Sequence, residues 1–136
     1  MTGFPLKIVT PDGLQFDGQA EELVVRTTTG DMGIQAGHIN CVAPLGMGQA
    51  MIIVDGQRRY GACIGGILSV MHGAVTLVPT TFEWADRIDV ARAQASEARA
   101  QTVLQDKNAS QTDIRIAEAR LKRALIRKSV AEHTGK

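Results

Sequence analysis

Long apolar runs are missing from this sequence. No stretch approaches the roughly 18–20 residues needed to span a bilayer, and near the start Lys7 and the charges soon after it break any apolar run. No secretory signal is read there, so the expected location is the cytoplasm, with any meeting with a membrane made through other proteins. Cysteine is scarce. Cys41 and Cys63 form no CxxC motif and lie near no histidine pair of metal-ligand spacing. No metal site is expected from them, and their apolar neighbours suit plain thiols in a reducing compartment. Nothing matches the GxxxxGK[ST] phosphate loop; the closing Thr134-Gly135-Lys136 has the wrong context, and Gly46-x-Gly48 lacks a third glycine because Met51 fills that place. The formal net charge of +1 gives no sign of nucleic-acid binding.

What is present divides in two. A chain of 136 residues suffices for one domain, or a domain with an appendage, and a 44% hydrophobic content is enough for a core. Thirteen of the fourteen glycines lie at or before Gly73, all four prolines at or before Pro79, and all five aromatics at or before Trp84. Residues 1–85 carry four basic and seven acidic side chains, net −3, whereas residues 86–136 carry eleven and seven, net +4. Turn formers and aromatics favour strands and their connections; the later Ala, Arg, Gln and Glu favour helix. The expected boundary falls near residues 80–87, giving units 1–85 and 86–136. A sign change between them suggests different partners.

The first unit reads as short strands. Leu6–Thr10 ends at Pro11-Asp12-Gly13, and Leu23–Arg26 follows. Met51–Val54 runs into Asp55-Gly56, a hairpin signal, with Arg58–Ile64 returning. Ile67–Val70 turns at His72-Gly73 into Val75–Val78. This predicts an N-terminal antiparallel β-sandwich or barrel without crossover helices. The second unit predicts a C-terminal two-helix antiparallel hairpin. Its first helix runs from about Ile88 to Gln105, with Asp86 as N-cap and Ile88, Ala91, Ala95, Ala98 and Thr102 on one face. Ser110-Gln111-Thr112-Asp113 resembles a capping box, and Ile114, Ala117, Leu121, Ala124 and Leu125 form the stripe of the second helix. Alanine-rich facing stripes bury little area, so the hairpin is expected to be weakly held.

Several motifs now add up. Gly30-Asp31-Met32-Gly33-Ile34-Gln35-Ala36-Gly37-His38 followed by Val42-Ala43-Pro44-Leu45, then Gly65-Gly66-Ile67-Leu68-Ser69-Val70, then Ile88-Asp89-x-x-Arg92-Ala93, stand in the order seen in ATP synthase epsilon subunits. Nearly the whole chain resembles that family. The sequence departs from its pattern at Asp31, Met32, Gln35, Ala36, Ile64 and Ser69. The resemblance implies a non-catalytic central-stalk rotor subunit of a proton-driven synthase, on the cytoplasmic face of the inner membrane. Its sandwich would clamp the gamma subunit and the polar loops of the membrane c-ring, with Asp31 and His38 facing the latter. Its hairpin would fold down, or extend along gamma toward the catalytic beta subunits and inhibit ATP hydrolysis.

The arginines are the chemistry-bearing feature. Asp89, Arg92, Ser96 and Arg99 share one face of the first helix, and Arg123 and Arg127 one face of the second. An antiparallel hairpin would bring the guanidiniums toward each other, and their forks suit phosphate oxygens. In some bacterial members the Ile-Asp-x-x-Arg-Ala signature marks ATP binding. That carries over to Ile88, Asp89, Arg92 and Ala93, and by position to Arg99, Arg123 and Arg127, with Glu83 a further candidate. No cofactor is required; ATP would be a regulatory ligand. The plain alternative is a solvated basic face. Extended, the same face (Arg115, Arg120, Lys122, Arg123, Arg127, Lys128) would suit an acidic segment of a catalytic subunit. His38 near Asp31 and Cys41 raises a Cys–His nucleophile, but no second histidine at useful spacing and no helix start follow Cys41, so Gly37-His38 reads as a turn. Phe82 and Trp84 are expected to act as apolar glue at the unit boundary. A free-standing ATP-sensing module and a plain adaptor remain as other classes.

Overall fold

The computed structural model describes residues 2–133; the closing Thr134-Gly135-Lys136 lies outside them. Among the described residues there are ten strands followed by a single 3₁₀ turn, Ala85–Arg87, and two α-helices. The strands are β1 (Phe4–Thr10), β2 (Gly13–Ala20), β3 (Glu22–Thr27), β4 (Gly30–Ile34), β5 (Cys41–Pro44), β6 (Met47–Val54), β7 (Gln57–Ile64), β8 (Ile67–Met71), β9 (Ala74–Val78) and β10 (Thr81–Trp84). The helices are α1 (Val90–Gln105) and α2 (Gln111–Ala131). The chain divides into two compact units between Trp84 and Ala85.

The first unit is a sandwich of two five-stranded sheets, ordered β2-β1-β9-β8-β5 and β10-β7-β6-β3-β4. All pairings are antiparallel except β1 with β9, which are parallel. The turns have the chemistry their residues dictate. Asp55 and Gly56 both take positive φ (51° and 75°), as do His72 and Gly73 (51° and 82°). Two successive positive-φ residues make the mirror-image turn whose twist matches a tight hairpin. These turns lock β6 to β7 and β8 to β9 in register, Val54 opposite Gln57 and Met71 opposite Ala74.

Alternate residues of the strands form the core. Phe4, Leu6, Ile8, Leu68, Val70, Val75 and Leu77 line it from the first sheet, and Leu23, Val25, Ile34, Ala50, Ile52 and Phe82 from the second. Phe82 lies over a glycine. A Cβ on Gly61 would stand 2.4 Å from the Phe82 ring. Trp84 packs edge-on against Phe82 and Phe16, and the Arg59 guanidinium stacks 3.8 Å above it. Its indole N–H donates to the Gln15 carbonyl at 3.3 Å. Phe82 and Trp84 therefore belong to the packing of the sandwich itself.

The second unit is the two-helix hairpin, and here two expectations change. Asp86 does not cap α1; it sits in the 3₁₀ turn, and Asp89 is the cap, its carboxylate accepting from the Arg92 amide at 3.0 Å. The expected stripe on α1 is also wrong. Ala91, Ala95, Ala98 and Thr102 are exposed, and the seam is formed by Ala93 and Ala100, with Ser96, Glu97, Val103 and Leu104 half-buried beside them. Alanine falls on every side of α1, so its spacing alone marks no face. On α2 Ala117, Ala124 and Ala131 are buried, Ile114 and Leu121 half-buried, and Leu125 exposed. Ser110 caps α2, accepting from the Asp113 amide at 3.0 Å.

Substituting Gly61→Ala would force the Phe82 ring aside and destabilise the sandwich by about 1–3 kcal/mol. Thermal unfolding followed by Trp84 fluorescence is expected to show a midpoint lowered by at least several degrees.

Candidate functional site

The hairpin site is built around a seam of methyl groups. Each alanine contributes about one buried carbon, worth roughly 0.8 kcal/mol. The small side chains at these positions let the helices lie close, with Val130 buried near the end of α2 and Val103, Leu104, Ile114 and Leu121 half-buried beside them. Between the helices runs an ion pair. Lys128 Nζ donates to Glu97 Oε1 at 2.7 Å, with the side chains 33% and 19% exposed.

The Ile88-Asp89-x-x-Arg92-Ala93 signature has a local structural role at the start of α1. Asp89 is the cap. Ile88 precedes it and is half-buried; Ala93, in the fourth helical position, is 4% exposed. Those are the two positions of a hydrophobic staple. Three of the four residues thus shape the helix entry, and Arg92, exposed, is the one free to meet a ligand. Arg99 lies two turns on, also exposed, while Arg123 and Arg127 are half-buried on α2. Because the helices form a hairpin, the first turns of α1 with Arg92 run beside the last turns of α2 with Arg127. Arg99 and Arg123 lie closer to the connection. Each helix thus contributes two guanidiniums to a hairpin whose seam is mostly alanine. Glu83 lies on β10, in the sandwich unit, not on the hairpin.

The second candidate region lies on the sandwich. Asp31 is in β4 rather than a loop and pairs with Arg26 across the strands, carboxylate to Nε 2.8 Å, both side chains more than half exposed. The segment after β4 turns at Gly37, φ 85°, with the His38 amide donating to the Gln35 carbonyl. His38 Nδ1 lies 2.8 Å from the Ile39 carbonyl. Glu22, Gly33, Ile34 and Gln35 to His38 line an open groove of about 370 Å³, braced by the Gln35 amide donating to Glu22 at 2.8 Å. Burial pushes the Cys63 thiol up to about 12, so it stays protonated at neutral pH and is no nucleophile.

A third feature was not singled out from the sequence. At its β9-β8-β5 end, the outer face of the first sheet exposes apolar side chains, while Lys7, Asp17, Thr76 and Ser69 share that face further along. Val78, Ile67 and Pro44 stand in one cross-strand row, and Val42 and Met71 flank it. Val42 is 66% exposed, Ile67 50% and Ile39, just before β5, 77%. Single exposed apolar residues mean little; a contiguous patch marks an interaction surface. Its signal was available. In Ile67-Leu68 and Leu77-Val78 adjacent residues are both apolar, so both faces of those strands are apolar.

The fold defines a two-unit class of protein, a β-sandwich followed by an alanine-seamed helical hairpin. Two family descriptions match it: "ATP synthase, Delta/Epsilon chain, beta-sandwich domain" over residues 3–85 and "ATP synthase, Delta/Epsilon chain, long alpha-helix domain" over residues 86–132. The chain belongs to this ATP synthase delta/epsilon family. It is 42% identical over 132 residues to the ATP synthase epsilon chain of Ruminococcus albus, covering 96% of this chain and 98% of that one. With the epsilon chain of Bacillus velezensis it shares 44% over 126 residues, covering 93% and 95%. Among solved structures, its fold is similar to a chain of the Euglena gracilis mitochondrial ATP synthase (OSCP/F1/c-ring), with TM-score 0.82 at 19% identity over 95% of this chain and 81% of that one. It is also similar to a chain of the Tetrahymena thermophila mitochondrial ATP synthase central stalk and c-ring, with TM-score 0.60 at 14% identity over 93% and 95%.

Two outcomes follow from this geometry. An exposed pair such as Arg26–Asp31 is worth at most about 1 kcal/mol, so Asp31→Asn is expected to leave the unfolding midpoint of the isolated chain nearly unchanged. Any larger effect of that substitution in an assembly would then report docking. Alkylation at pH 8 followed by mass spectrometry is expected to modify Cys41, which is half-buried, and to reach Cys63 only after unfolding.

Proposed function

We propose that this chain is the epsilon-type central-stalk subunit of a proton-driven rotary ATP synthase, peripheral to the cytoplasmic face of the membrane and without catalysis of its own. In this reading the sandwich docks on the gamma subunit through its apolar outer sheet face, and meets the membrane c-ring loops through Asp31 and the His38 turn. Through these contacts it helps couple ring rotation to ATP synthesis. The hairpin, when extended toward the catalytic beta subunits, inhibits ATP hydrolysis; when folded, it binds ATP.

The observation that carries this reading is a hairpin closed on an alanine seam, flanked by Arg92 and Arg99 on one helix and Arg123 and Arg127 on the other. Guanidinium forks suit the phosphate oxygens of an anion. ATP would supply that anion, and only the folded hairpin brings the two helices together around it. Ligand at about 100 times its dissociation constant then favours the folded form by roughly 2.7 kcal/mol, enough to decide a weakly packed element's conformation. The exposed apolar sheet face favours this reading over a free-standing sensor, which has no use for such a surface.

Calorimetric titration with ATP is expected to give saturable heat, lost in Arg92→Ala and in Arg123→Ala. An absence of heat at millimolar ATP would remove the nucleotide ligand and leave regulation to contacts of the extended helix. For docking, Val42→Arg is expected to weaken co-purification with gamma at least tenfold while leaving the unfolding midpoint unchanged; unaltered co-purification would move the gamma contact elsewhere.

A further inference from the structure

We propose that the Glu97–Lys128 ion pair is the latch that holds the hairpin closed and sets its helix register. The inference deepens the switch described above and rests on the hairpin being its moving part.

Three observations lead to it. The alanines of the seam carry almost no shape information, and Val130, 1% exposed, is the larger side chain fully buried beside them. Ala93, Ala100, Ala117, Ala124 and Ala131 are near-identical knobs, repeating at seven-residue intervals on each helix. Sliding one helix past the other by seven residues, two turns, would replace alanine by alanine, so the alanines alone do not choose the register. A polar pair at a seam is the device best attested for that purpose.

Second, Glu97 occupies a seam position. It lies four residues after Ala93 and three before Ala100, on the face that α1 turns to α2, and its side chain is only 19% exposed. A carboxylate there is partly dehydrated and needs a compensating charge. Lys128 supplies it at 2.7 Å across 31 residues of sequence.

Third, the placement suits a latch. Glu97 is at the middle of α1, and Lys128 lies in the last turn of α2, beyond Arg123 and Arg127. The pair therefore ties down the free end of the hairpin, the part farthest from the 106–110 connection. It also holds Arg123 and Arg127 beside α1. Lys128 is then a positioning residue for the arginine face, not itself a phosphate ligand. Loss of the pair frees both a carboxylate on α1 and an ammonium on α2 for other contacts.

The test is amide hydrogen exchange of the full-length chain without nucleotide, comparing peptides of residues 111–131 with peptides of the sandwich. Glu97→Gln and Lys128→Met are each expected to speed exchange of 111–131 roughly tenfold, the effect of stranding one charged partner. The double substitution is expected to be no faster than either single one, because both remove the same interaction. The exposed Glu118→Gln should change nothing. The latch is overturned if Glu97→Gln leaves the exchange of 111–131 unaltered, if the two effects multiply in the double substitution, or if sandwich peptides accelerate equally. Adding ATP separates the two proposals. If ATP fails to slow exchange in the wild type, the nucleotide reading falls, while the nucleotide-free comparison still decides the latch.

Discussion

The thinness of the helix–helix seam is the constraint from which the rest of the account follows. Five buried alanines and Val130 offer only several kcal/mol of apolar burial. Ordering some forty helical residues against solvent costs far more than that, so helical propensity, capping and charge must supply the remainder. The sequence provides these: Asp89 and Ser110 as caps, the Ile88 and Ala93 staple positions, and the Glu97–Lys128 pair. Each of these contributions is small. A structure closed by such terms is one whose closure a single anion or a competing partner is able to decide.

The sandwich is built on the opposite principle. Its core joins branched and aromatic side chains from both sheets, several of them fully buried. Gly61 on β7 makes room for the Phe82 ring of the adjacent strand β10, which packs into the core. Trp84, the last residue before the hairpin unit, is clamped by Phe82, Phe16, Arg59 and the Gln15 carbonyl. The sandwich therefore ends in a well-packed strand, and the β9-β8-β5 end of its outer sheet face exposes Val42, Ile67, Met71 and Val78. One unit is closed by a deep apolar core, the other by a thin seam with caps and charge.

Much of this was legible in the sequence, and the gaps have physical causes. Six strands and both tight hairpins were readable, because Asp55-Gly56 and His72-Gly73 state their turn geometry in residue type. β2, β4, β5 and β10 were not. β2 is a polar edge strand with two glycines, β4 is one-third to one-half glycine and half-exposed, and β5 and β10 have four residues each. Pairing with neighbours, not local pattern, makes them strands. The Ser110 cap was visible, whereas Asp86 and Asp89 compete as caps three residues apart, and only the 3₁₀ turn decides between them. The seam of α1 was hidden by alanines on all sides and by a glutamate within it. The arginines were legible as spacing; that Asp89, Ile88 and Ala93 serve the helix start was not. The apolar outer sheet face escaped notice because strand runs were read for a core and not for their second face.

The central claim is that the hairpin is a separately and weakly held unit on a stable sandwich. The most direct measurement is thermal unfolding of the whole chain by two probes at once, the far-ultraviolet helix signal for the hairpin and Trp84 fluorescence for the sandwich. The account predicts that the helix signal is lost at clearly lower temperature, while Trp84 remains buried until a second transition. A single transition, coincident by both probes, would show that the two units fold as one and would contradict it.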